Sequence, residues 1–270
     1  MTENVGEEIA KELAKQAYED GGKAIVKPLG ETGGLLVRAV KAALSPLEKW
    51  VLQREYSVAE TRKLLEQKLA GIPAERIQPP EQYIALPAMQ YISYCMDEEN
   101  LRDLYANLLA NSMIDIVKNG VHPGFVEIIK QLSPDEAKIL QYMSSNEIIP
   151  TVSLKYQNDK GQSIYVVRDF SNIGEFANCE HPYETEKCFD NLIRLGLVVR
   201  NEVMSHLSDK NRYKPLIEHK YLEEYKHIDA LIQQGFSNVN TEEGFIRLSS
   251  FGKAFCSICV TPPQITHTES

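Results

Sequence analysis

Between residues 97 and 120 apolar side chains recur at three- and four-residue steps: Leu101, Leu104, Tyr105, Leu108, Leu109, Met113 and Ile116. That spacing places them on one stripe of a helix, and Arg102, Asp103, Asn107, Asn111, Asp115 and Lys118 fall outside it. Asp97 is suited to cap the first turn, Glu98 and Glu99 favour the positive end of the helix dipole, and Gly120 followed by Pro123 reads as a stop. A helix this long with one apolar face must be packed against others. The rest of the chain is therefore read as what surrounds it.

Start and stop signals repeat along the first half. Ser133-Pro134-Asp135-Glu136 combines a capping serine, a proline at the first helical position and a glutamate placed to complete a capping box. Ser45-Pro46-Leu47-Glu48 and Ser57-Val58-Ala59-Glu60 repeat that logic, and Gly71 with Pro73 ends the helix bearing Leu64, Leu65 and Leu69. A buried helix over 83–96 is interrupted by Pro87, and a short one carries Phe125, Ile128, Ile129 and Leu132. This is the pattern of a helical bundle.

Past Met143 the period changes. Residues 148–154 and 164–167 read as strands joined by the turn Asn158-Asp159-Lys160-Gly161. Thr185 is placed to cap a helix with Cys188, Phe189, Leu192 and Ile193, ended by Gly196, and a strand follows at 197–199. A long helix is expected over 216–234, then a strand at 245–248 and a helix over 251–260 capped by Ser249 or Ser250. The fold class expected is mainly α: an N-terminal helical bundle over residues 1–132, a smaller α+β winged-helix-like domain over 133–260, and a disordered tail from 261 to 270.

Two resemblances attach to these residues. The Pro79-Pro80 entry, Ile84-Ala85-Leu86-Pro87, the acidic helix of 97–109, and Val121-His122-Pro123-Gly124-Phe125 leading to Leu132-Ser133-Pro134-Asp135-Glu136 resemble the abortive infection alpha family, bacterial proteins grouped with phage-defence systems. The resemblance implies a defence role and carries over no catalytic residue. The run Asn191-Leu192-Ile193-Arg194-Leu195-Gly196-Leu197-Val198 followed by the strand and helix at 246–252 resembles a winged helix, with inserts around 148–170 and 205–235.

Charge limits the partners. A net charge of −9 argues against a chain built mainly to hold nucleic acid, and the helix that a winged helix would use for DNA carries Glu184, Glu186 and Asp190 against Lys187 and Arg194. Lys210, Arg212 and Lys214 with Tyr213 form the candidate contact cluster for nucleic acid or a partner. The segment 21–54 is locally basic, with Lys27, Arg38, Lys41, Lys49 and the interfacial Trp50 as candidate membrane contacts beside an apolar face of Leu36, Val40, Ala43, Leu44, Leu47 and Val51. In the resting protein that face is expected to be buried in the bundle, and only a trigger would release it.

No catalytic constellation is present in the sequence: no Gly-x-Ser-x-Gly, no His-x-x-x-His, and a glycine-rich run at 30–34 without the lysine of a phosphate loop. Cys256 and Cys259 have zinc or redox spacing, but Cys179, His181 and Cys188 offer only irregular spacing for a second pair, so the cysteines read as small buried hydrophobes. No metal and no cofactor are expected. The reading is a non-enzymatic, cytoplasmic phage-defence protein acting through protein contacts or self-association, peripheral to the inner membrane if triggered. The alternative is a winged-helix DNA-binding regulator.

Overall fold

The computed structural model describes residues 34, 35, 37–42, 55–200 and 207–264. The expectations for Ser45-Pro46-Leu47-Glu48 and the Ser57 side chain, for the glycine-rich run at 30–33 and for residues 265–270 lie outside them.

The helices of the first half are α1 (Glu55–Lys68), α2 (Gln82–Ile92), α3 (Glu99–Ser112), α4 (Gly124–Ile129) and α5 (Pro134–Ser145). The α5 start is the capping box read from sequence: Glu136 N donates to Ser133 Oγ, and Ser133 N donates to the Glu136 carboxylate at 2.7 Å. Pro87 lies inside α2, which closes at Ile92 rather than continuing to residue 96.

α3 departs from its sequence reading at both ends. Asp97 does not cap it; the helix begins at Glu99, and the turn before it is held by Arg102, whose guanidinium donates to the Met96 carbonyl at 2.7 Å. The helix stops at Ser112, not near Gly120, because the following backbone pairs elsewhere. Gln78 N donates to the Met113 carbonyl and Asp115 N to the Arg76 carbonyl, forming a bridge between Ile77 and Ile114. Ile116, placed on the apolar stripe by spacing, is consequently 53% exposed. Between these ends α3 is buried all round from Leu104 to Ser112, including Asn107 and Asn111, which spacing left off the apolar stripe.

The second half holds β1 (Ile148–Gln157), β2 (Ser163–Phe170), α6 (Ile173–Phe176), α7 (Thr185–Arg194), β3 (Val198–Arg200), α8 (Lys214–Ile217), α9 (Lys220–Glu223), α10 (Asp229–Gln233), β4 (Asn238–Leu248) and α11 (Ser250–Phe255), which runs into a π-helical turn at Cys256–Val260. The fold is α+β. The strands form one antiparallel sheet in the order β2-β1-β4-β3. Pro150 is tolerated in β1 because the β2 ladder begins only at Val152, leaving one side of the strand without a neighbour there. The β1–β2 turn is the expected one: Gly161 takes φ +80° and the Asn158 carboxamide accepts from Lys160 N and Gln162 N.

A single large core takes residues from both halves, from Val40 and Leu65 through α3 to Phe189, Ile246, Phe255 and Cys259. Ile149 and Ile246 face it. The opposite sheet face carries Val152, Leu154, Val167 and Phe170, which pack with Tyr213, Leu216 and Leu222 in a second core. The long helix expected over 216–234 is instead three short ones. The first break falls at His219, whose extended backbone and imidazole cap α9 by accepting from Tyr221 N. At the second, the buried Tyr156 hydroxyl donates to the Tyr225 carbonyl and accepts from Ile228 N, taking up backbone groups that a continuous helix would pair internally.

Candidate interaction surfaces

α7 buries Thr185, Cys188, Phe189 and Leu192, so its outward face is Glu186, Lys187, Asp190, Asn191 and Arg194. Thr185 does not cap the helix; its hydroxyl accepts from Ser171 N. Most of the outward face is already engaged within the molecule. Asn191 Nδ2 donates to the Gln131 carbonyl at 3.0 Å and to the Glu136 carboxylate at 2.9 Å, and Arg194 donates to the Gln131 side-chain oxygen through both Nη atoms at 3.1 Å. Asp190 pairs with Arg200 on β3 at 2.6 Å, and the same guanidinium reaches Asp169 at 2.5 Å. Asp169 adopts φ +46° at an irregularity in β2, a conformation that aspartate tolerates better than most side chains. Burial raises the Glu186 carboxyl above its ordinary range, against the opposing hydrogen bond from Arg168 N.

Between the α4–α5 junction and α7 lies a cleft of about 500 Å³ lined by residues such as Ser133, Asp135, Glu180, His181, Lys187 and Cys188. Its polar groups are largely committed to structure. Asp135 accepts from Glu180 N at 2.8 Å and His181 N at 3.0 Å. Burial alone would raise its carboxyl, but these two donors and Lys138 outweigh it and hold the carboxyl below its ordinary range. Burial pushes the Cys188 thiol up to about 12 and Cys179 to about 11, the opposite of what an activated nucleophile needs.

Cys256 and Cys259 sit inside the π-helical turn, nearly or fully buried, as expected for small hydrophobes. Burial raises both thiols, Cys256 to about 12. Asn107 Nδ2 donates to the carbonyls of Cys259 and Val260 at 2.9 and 3.1 Å, and Asn111 Nδ2 to that of Ile258 at 2.8 Å. A π turn leaves carbonyls out of α-helical pairing, and the two asparagines of α3 take them up. Among the described residues no group of three or more His, Cys, Asp or Glu side chains is placed to hold a metal ion.

The sequence-predicted basic cluster is brought together but partly tied down. Lys210 pairs with Glu243, Arg212 donates to the Ile148 carbonyl at 2.8 Å, and Lys214 lies 4.0 Å from Glu218. Of the candidate membrane contacts, Lys27, Lys49 and Trp50 lie outside the described residues. Arg38 and Lys41 are exposed on a helical piece whose Val40 is fully buried in the main core. Among the described residues no helix is long and apolar enough to cross a membrane.

The family model described as "Abortive infection alpha" matches residues 53–259. The chain belongs to the abortive infection alpha family. The match runs from just before α1 into the π-helical turn, so the asparagine clamp of α3 joins the middle of the family unit to its far end. No curated protein matches the chain. Among solved structures, an uncharacterised protein from the hydrocarbon-degrading marine bacterium Alcanivorax borkumensis SK2 is 18% identical, covering 51% of this chain and 92% of its own, with a TM-score of 0.37, too low to support an argument.

Sequence reasoning missed Asn107, Asn111, Tyr156 and the Asp169–Arg200–Asp190 link. For Asn107 and Asn111 a signal was present: both carboxamides lie on a helix whose other residues near them are alanine and leucine.

Proposed function

We propose that this abortive infection alpha protein is a non-enzymatic phage-defence protein that acts through contacts with other proteins, and that its second half is an elaborated winged helix. The order α5–β1–α6–α7–β3–β4, with β4 lying between β1 and β3, supports the winged-helix reading; β2 and the 207–236 segment are then insertions. In that frame α7 is the helix that a DNA-binding relative would lay in the major groove. The observation that carries the protein-contact reading is the state of α7: Asn191 and Arg194 are held by Gln131, Asp190 by Arg200, and the helix has no surplus of positive charge, Glu186 and Asp190 offsetting Lys187 and Arg194. Desolvating such a face against phosphates is unfavourable.

Challenge of expressing cells with a panel of phages tests the defence role; absence of protection against every phage would sink it. Salt-dependent duplex binding lost on Lys210/Arg212/Lys214→Ala would replace the protein-contact reading with the DNA-regulator reading. The buried Val40 between exposed Arg38 and Lys41 supports a resting state with the basic face outward, and membrane contact then requires a trigger. Flotation of the untriggered protein with anionic liposomes would contradict that resting state.

A further inference from the structure

The short reach of β2 leaves one corner of the sheet open on the face that carries the second core. Across that corner runs a row set by register: Val199 on β3 opposite Arg247 on β4, and Arg247 opposite Ile148 on β1. Cross-strand partners share a face, and because Ile246, Leu248 and Ile149 point into the main core, this row points away from it. Arg212 closes the row from the β1 side through its bond to the Ile148 carbonyl. Ile148 is 37% exposed, Arg212 and Arg247 are exposed, and among the described residues no carboxylate forms an ion pair with either.

We propose that this corner is a docking surface for a protein segment that presents a carboxylate beside an apolar side chain. The proposal rests on the protein-contact reading above and names its surface. Two arginines flanking an exposed isoleucine combine charge-assisted carboxylate recognition with an apolar centre, and arginine is among the residues enriched at interface hot spots. The surrounding carboxylates argue against a polyanion. Glu147 pairs with Lys253, Glu243 with Lys210 and Glu218 with Lys214, so these lysines are offset and do not extend the two arginines into the continuous basic strip that a line of phosphates requires. A segment with an isolated acidic residue needs no such strip.

The test is fluorescence anisotropy of the intact chain with three labelled probes: a mixed glutamate–tyrosine copolymer, poly-L-glutamate and a short DNA duplex. The copolymer is expected to bind best, and Arg212→Gln/Arg247→Gln to weaken it about tenfold, while Lys160→Gln at the β1–β2 turn leaves it unchanged. Both arginines are exposed, and a thermal melt checks that the double variant is folded. Four outcomes overturn the proposal: no copolymer binding, equal binding by the double variant, equal binding of poly-L-glutamate, or preferential duplex binding lost in the same variant. In phage challenge, a double variant that protects as well as the original chain removes this surface and leaves the defence reading intact. An original chain that protects against no phage removes the defence reading, whatever the copolymer does.

Discussion

Asn111 on α3 donates its side-chain amide to the carbonyl of Ile258, 147 residues further along the chain. With Asn107 it fixes the π-helical turn against the middle of the first-half helices. Asn111→Ala leaves that carbonyl buried and unpaired, and the expected loss is about 1–3 kcal/mol of unfolding free energy, measured by denaturant titration. Asn111→Asp should be worse than alanine, since it sets a carboxylate against the carbonyl. An alanine variant as stable as the original would mean the turn does not depend on this bond.

Two glycines are set by close approach of another backbone. A Cβ on Gly252 would lie 1.9 Å from the Leu197 carbonyl oxygen, and one on Gly174 would lie 2.2 Å from that of Pro182. In both cases the obstacle is main chain, so relief requires moving an element. Gly252→Ala and Gly174→Ala should each cost more than about 2 kcal/mol. Gly71→Ala, with open space around its Cβ and no positive φ, should be neutral or slightly stabilising. Melting temperatures of the three variants check the ranking.

Tyr156→Phe keeps the ring and removes the hydroxyl that serves Tyr225 and Ile228. The expected cost is about 1–3 kcal/mol. Hydrogen exchange should quicken locally at Ile228 and its neighbours while β1 and β4 stay protected. Uniform loss of protection across the sheet would show that the hydroxyl does more than terminate a helix.

Stability should fall on the acid side. Asp135 and Glu242 are both held below their ordinary values of 3.8 and 4.5, Glu242 chiefly by the Lys155 hydrogen bond and then by Tyr165. A carboxyl with a depressed native value stabilises the fold above its unfolded value and loses that contribution as pH drops through the native one. The loss therefore starts as pH falls into the range 3.8–4.5 and deepens with further acidification. Asp135→Asn should flatten that part of the profile, and an unchanged slope would remove Asp135 from the account.

What sequence made legible was local. The Ser133 capping box, the Gly161 turn and the strand–helix passage at Ser249 depend on residues within a few positions of one another, and each formed as spacing implied. What it concealed depends on distant partners. A tyrosine on β1 makes the second break in the helix expected over 216–234, the 76–78 segment ends α3 early, and carbonyls from the π-helical turn make Asn107 and Asn111 core residues. Of the surfaces, the Lys210–Lys214 cluster could be read directly. The row of Val199, Arg247 and Ile148 could not, because its members come together only through strand register.

The position of β4 has a temporal consequence. β4 fills the middle of the sheet, yet it follows β1 by the whole of α6 to α10. While a ribosome is still making the residues between them, β1 has only the β2 hairpin beside it, and its other flank offers unmatched amides and carbonyls to any passing chain. The sheet can close only after residue 248 has emerged, and the α3 asparagines find their carbonyls later still. A nascent chain of this kind waits half-assembled, and stalling or premature release anywhere between β2 and β4 yields a sticky fragment rather than a smaller working domain.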